Sequence, residues 1–257
     1  MLLARSWQAR LLLLTVVHPG QFFGDQRLSA RDRRDRAEAR LRADVDARDV
    51  SVTVRVEEGP ASESILRVAE AEACDVIVTG VGGEHTLGRW SFGSTLDVLI
   101  RRATPPVLVV RRRASRDYRR IVVPSDFSGE SRRALRETLS LFPDQEVSLF
   151  HAYATPNVET EGLNLATVQA QAWSAAESEG GAFLHDCELS TEHRRRVGLV
   201  VAHGPPGLAL NDYVEHRGID LIALATRARS PLVDALIGGV AKHILDEATV
   251  DVLVLRQ

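Results

Sequence analysis

The sequence predicts an α/β protein made of two tandem, doubly wound parallel-sheet domains, and three observations predict it. The 257 residues match themselves at an offset of 145, where residues 51–110 pair without a gap with 196–255 and 14 of the 60 positions are identical. The identities favour turns and strands: Val52/Val197, Val56/Val201, Gly59-Pro60/Gly204-Pro205, Asp75/Asp220, Gly93/Gly238 and Val107-Leu108-Val109/Val252-Leu253-Val254, so the repeat organises the chain. Within each copy short apolar runs alternate with helical patterns, which implies right-handed crossovers and a parallel sheet. The runs are continuous and rich in Val, Ile and Leu rather than alternating, as suits strands covered on both faces.

In chain order, the first copy opens with "RLLLLTVV" (10–17), too short to span a bilayer and not followed by a small-residue cleavage site, hence a buried strand. Residues 26–48 are charged but mixed in sign. Asp32, Asp35, Glu38, Asp44 and Asp46 interleave with the arginines and favour a solvated helix over a nucleic-acid face. Then follow a strand ("SVTVRVEEG"), a helix ("ASESILRVAEAEA"), a strand ("DVIVTG"), a glycine-containing loop, a helix ("GSTLDVLIRRA") and a strand ("VLVVR"). The charged "RRRASRDYRR" (111–120) lacks apolar periodicity and reads as a linker, leaving domains over 1–114 and 118–257.

The second copy begins one unit earlier, with "RRIVVPSDFSGESRRALRETLSLF" (119–142): a strand over Arg120–Pro124, Ser128 as helix cap, and an inner helix face including Ala134, Leu135, Leu139 and Phe142. "EVSLFHAY" (146–153) parallels residues 10–17 at a slightly different offset, so the copies differ by an insertion. A polar loop and helix over 154–194 precede "VGLVVAHG", "GLALNDYVEHRG", "DLIALA", "GGVAKHILDEA" and "VLVLR".

A net charge of −3 provides no global footprint for nucleic acid or an anionic membrane, so neither is expected as a partner. Cys74 and Cys187 form no CxxC pair and no Cys/His cluster, which argues against a disulfide scaffold or a metal site and fits a reducing cytoplasm. Gly80, Gly83 and Gly93-Ser94 place bare backbone beside a strand's carboxyl end and lead into a helix N-terminus, where unpaired N–H groups and the helix dipole favour phosphate. The spacing is neither GxGxxG nor GxxxxGK[ST], and ordinary NTPase machinery is missing. His151 reads as a core histidine, and no GxSxG elbow supports a hydrolase built from Ser125, His151 and Asp126. Trp7, Trp90 and Trp173 are expected in packing.

The spacing Gly80, Gly83, Gly93-Ser94, together with "VVPSDFS", resembles the universal stress protein family over almost the whole chain, as two tandem domains. The resemblance implies Rossmann-like sheets in strand order 3-2-1-4-5 that pair through their last strands. It implies ATP as ligand, with phosphates on Gly80, Gly83, Gly93 and Ser94. The adenine side falls on Val16 and Ala152, and the family's acidic strand-end residue on Asp126. In the second copy the phosphate motif reads Ala225, Ala228, Gly238, Gly239, and methyl groups would crowd a phosphate. The first copy lacks the family's first strand: strand 2 pairs with strand 4, another segment fills the gap, or the natural start lies upstream. The resulting expectation is a non-catalytic, cytoplasmic stress-response module that binds ATP through its first domain. The alternatives are a nucleotide-independent scaffold for a protein partner and, third, an adenine-nucleotide enzyme. Intramolecular domain pairing and a homodimer complete the expectations.

Overall fold

The computed structural model describes residues 1–17, 29–43, 45, 49–81, 85–86, 89–90, 93–111, 116–155, 165–226 and 239–256. From the amino end, α1 (Leu2–Ser6) leads into β1 (Leu11–Val17), α2 (Ala30–Ala43), β2 (Val52–Glu58), α3 (Ala61–Ala71) and β3 (Ile77–Gly80). A small antiparallel ribbon, β4 (His85–Thr86) with β5 (Arg89–Trp90), precedes α4 (Ser94–Arg102) and β6 (Val107–Val110). The second half comprises β7 (Arg120–Pro124), α5 (Gly129–Leu141), β8 (Glu146–Tyr153), α6 (Leu165–Asp186), α7 (Thr191–Arg196), β9 (Val197–His203), α8 (Pro206–Arg217), β10 (Leu221–Thr226), α9 (Gly239–Glu247) and β11 (Asp251–Arg256).

Local chemistry sets these boundaries. Ser128 caps α5 by accepting from the Ser131 amide at 3.3 Å, and Ala134, Leu135, Thr138 and Leu139 turn inward at helical spacing. α8 stops at Gly218, whose φ of 58° is the left-handed conformation that suits glycine. α2 buries no residue, in keeping with its mixed charges.

The second half supplies the order β9-β8-β7-β10-β11, all parallel, which is 3-2-1-4-5. That sheet continues through β6 and β3 to seven strands. β6 pairs with β11 antiparallel, Val109 opposite Val252, Leu108 opposite Leu253 and Val107 opposite Val254. Leu108 and Leu253 have no exposed surface, so the seam between the halves is core.

The first half is split. β1 and β2 form a separate parallel doublet, with Leu11 opposite Val52, while β3 and β6 belong to the large sheet. No ladder joins β1 to β3, and no described segment pairs between them, so strand 2 does not close directly onto strand 4. Leu11 to Leu14, in this doublet, are only half-buried.

The short helix α1, unexpected from the sequence, feeds the other half. Trp7 packs edge-on against Phe142 at 5.6 Å, and Tyr118 does so at 6.0 Å. Trp173, by contrast, is 44% exposed, against the packing expectation, and the side chain of Trp90 lies outside the described residues.

The linker is tied down despite its lack of periodicity. The Tyr118 hydroxyl donates to Asp251 Oδ2 at 2.6 Å and the Arg111 amide to Asp251 Oδ1 at 2.7 Å. Asp220 accepts from the Arg116 guanidinium at 2.8 Å and from the Arg119 and Arg120 amides at 2.9 and 3.1 Å.

Arginines also close helix ends. Arg10 donates to Glu72 O after α3, Arg111 to Leu245 O in α9 and Arg120 to Arg217 O in α8. Arg136 donates to Cys187 O after α6, and Arg196 to Phe142 O after α5. Each meets carbonyls that the helix itself leaves unpaired, at the negative end of its dipole.

Candidate functional site

In the first half Gly80 is the last residue of β3, paired in register with Val110. Among the described residues, a Cβ there would meet nothing nearer than the Val110 carbonyl at 4.0 Å. Gly93 caps α4 with extended backbone (φ −60°, ψ 151°) and has no side chain to close that end. Ser94 is the first helical residue and is exposed. Because α4 runs back between the parallel strands β3 and β6, its N-terminus lies at the carboxyl end of β3, the same end as Gly80. The arrangement gathers the amides of a helix start, a hydroxyl and the positive end of a helix dipole. Gly83 lies outside the described residues.

In the second half Asp126 follows β7, but its carboxylate is engaged locally. Oδ1 accepts from the Ser128 amide at 3.1 Å and from the Ser131 hydroxyl at 2.8 Å. The turn continues through Phe127, at a left-handed φ of 58°, whose ring stacks on His151 at 4.3 Å. His151 Nδ1 lies 2.9 Å from the Ser125 carbonyl, and since a carbonyl only accepts, Nδ1 carries the hydrogen. The Ser125 hydroxyl accepts from the Phe127 amide at 3.0 Å. His151 thus holds the backbone of Ser125 rather than activating its hydroxyl.

Ala152 sits half-buried in β8 opposite Ala202, on the strand next to the one that ends before Asp126. Val16 lies opposite Glu57 in the detached doublet. Ala225 is half-buried against the core, Gly239 opens α9, and Ala228 and Gly238 lie outside the described residues. The structure therefore brings Gly80 to the same end as Gly93-Ser94, and Asp126 to the neighbourhood of Ala152, in different halves. Sequence reasoning missed a polar group at the second half's strand ends: Thr155 Oγ1 lies 2.6 Å from His203 Nε2, and Tyr153 packs edge-on against His203 at 5.3 Å. The signal was the placement of His203 directly before the repeated Gly204-Pro205.

Burial pushes the Cys74 and Cys187 thiols above their ordinary range, so neither is a ready thiolate. Among the described residues no group of His, Cys, Asp and Glu is arranged to hold a metal ion, and no helix is long and apolar enough to cross a membrane.

A second half with parallel strands in 3-2-1-4-5 order, and a first half whose parallel β3–β6 pair carries a glycine at a strand end and a helix start beside it, define doubly wound α/β modules in tandem. The universal stress protein family model matches residues 1–111 and 117–256, and the chain belongs to that family. A universal stress protein of Methanocaldococcus jannaschii is 22% identical over 141 residues, covering 54% of this chain and 83% of its own. Among solved structures, a functionally unknown protein from Pseudomonas aeruginosa PAO1 superposes with a TM-score of 0.66 at 20% identity, covering 98% of this chain and 84% of that one. A universal stress protein from Archaeoglobus fulgidus gives 0.64 at 16% identity, over 95% and 86%. At such identities the likeness speaks to the fold.

Proposed function

We propose that this universal stress protein is a non-catalytic cytoplasmic module that senses adenine nucleotide through its first half, holding phosphate on Gly80, Gly83, Gly93 and Ser94. The observation that carries this reading is the start of α4: Gly93 provides no side-chain cap, Ser94 is exposed, and Gly80 ends the adjacent strand. Such a site favours an anion by geometry and dipole together. The non-catalytic part rests on the second half, where Asp126 is engaged by Ser128 and Ser131, and His151 by a carbonyl.

Calorimetric titration of the full chain with ATP, ADP and AMP tests the reading. Saturable heat with ATP that disappears in Gly83→Asp supports it. Absence of heat at millimolar nucleotide sinks it, as does heat that survives Gly83→Asp. Release of phosphate or pyrophosphate from bound ATP would remove the non-catalytic part alone.

A further inference from the structure

The two halves differ in the chemistry that joins β2 to α3 and β9 to α8. At the repeat offset of 145, Arg55 and Glu57 of β2 align with Val200 and Ala202 of β9. In the second half Val200 and Ala202 pack against the core together with Leu210 and Val214 of α8. In the first half Val52 and Val54 turn towards α2, where they line a groove with Arg42 and Val45. Strand alternation therefore turns Arg55 and Glu57 to the opposite face, towards α3.

On that face the four charged groups of β2 and α3 form a network. Arg55 meets Glu57 Oε1 through Nε at 2.7 Å and Glu72 Oε1 through Nη1 at 2.9 Å. Arg67 on α3 donates to Glu57 Oε2 at 2.7 Å, and Arg10, just before β1, reaches Glu72 Oε2 at 3.7 Å. The hydrogen bonds from Arg67 and Arg55 hold the Glu57 carboxyl below its ordinary range. The counterparts of Arg67 and Glu72 are Asp212 and Arg217, so the second half reverses the helix charges as well as replacing the strand charges by apolar groups.

The apolar join depends on area removed from water, and simple salt leaves it in place. The ionic join involves side chains that are 18–57% exposed. Salt reaches such pairs, because the screening length falls from about 10 Å at 0.1 M to about 3 Å at 1 M. β1 and β2 pair with each other in a two-stranded sheet, and Gly59, at a φ of 126°, turns the chain from β2 into α3.

We propose that Arg55, Glu57, Arg67 and Glu72 form an ionic latch that closes the unit of β1, α2 and β2 onto α3, and that rising ionic strength opens this unit while the second half stays closed. The latch makes the first half a salt-responsive element. It goes beyond nucleotide sensing and does not depend on it.

Amide hydrogen exchange of the full-length chain, followed segment by segment without nucleotide in about 0.02 M and about 1 M sodium chloride, tests the latch, with β2 compared to β9 in the same sample. Partly exposed ion pairs each contribute a factor of about 1.4–5. The three contacts together should speed exchange in β2 about threefold or more relative to β9 at the higher salt. Arg55→Val combined with Glu57→Ala, the residue types the second half carries, should make the β2 to β9 ratio independent of salt. Arg67→Gln, at a side chain that is 57% exposed, removes one pair and should leave a smaller response. The proposal is overturned by a β2 to β9 ratio that is equal at the two salt concentrations, or by a double variant that keeps the wild-type response. Equal acceleration of β2, β3 and β10 also overturns it, because salt would then be opening the whole molecule.

Discussion

Tyr118 and Asp251 meet at 2.6 Å, phenol donating to carboxylate, and so fasten the segment between the halves to the first residue of β11. Burial first, then the hydrogen bond and charge of Asp251, push the Tyr118 phenol far above its ordinary range, which keeps the hydroxyl a donor. Tyr118→Phe removes that donor from a carboxylate that is 6% exposed. The expected cost is about 1–3 kcal/mol, read as a lower urea midpoint with an unchanged slope.

Asp220 confers an acid-sensitive element. Burial pushes its carboxyl up, but the Arg119 and Arg120 amides and the Arg116 guanidinium outweigh it, and the net shift is downward. A folded-state value below the unfolded one contributes stability that is present above about pH 4 and lost as pH falls through the folded value. Asp220→Asn should therefore flatten the acid limb of stability against pH, and urea midpoints between pH 7 and pH 2 that keep the wild-type slope would contradict this.

The seam between the halves rests on Leu108 opposite Leu253, neither with exposed surface. Leu253→Ala should cost about 2–5 kcal/mol. Because the two residues sit across the ladder from each other, the double alanine variant should lose less than the sum of the single losses, and a double-mutant cycle in urea reads the difference.

Gly204 has a φ of 126°, and a Cβ added there would meet nothing within 4 Å. Any cost of Gly204→Ala is therefore backbone strain alone, about 1–3 kcal/mol, and melting by calorimetry should show it. Gly59, with the same φ of 126° in the first copy, should behave alike.

Much of the architecture was legible because repetition wrote it twice. Val107-Leu108-Val109 and Val252-Leu253-Val254 marked the two final strands, and those triplets now lie against each other. Ser128 announced the start of α5 through its hydroxyl. The split of the first half was legible only as a missing strand, because whether β1 rejoins β3 depends on long-range pairing that no local pattern encodes. The placement of Trp7 on Phe142 was illegible for the same reason: a single aromatic has no periodicity, and its partner stands 135 positions away in the other half. Of the candidate site, the placement of Gly80 at the end of β3 and of Gly93-Ser94 at the start of α4 followed from spacing. The engagement of Asp126 with Ser128 and Ser131 did not, since a strand-end carboxylate looks the same whether it faces a ligand or its own turn.

The closing of five helix ends by guanidinium groups has a chemical corollary. Among 32 basic residues the sequence holds a single lysine, Lys242, which pairs with Asp246 at 3.0 Å on α9. Acetylation, carbamylation or an amine-reactive dye will therefore reach Lys242 and the terminal amine while leaving all five helix ends charged. A dicarbonyl reagent that attacks guanidinium would strike them together. The molecule can thus be tagged near one site through its amine, and dismantled from its helix ends by a reagent of a different selectivity.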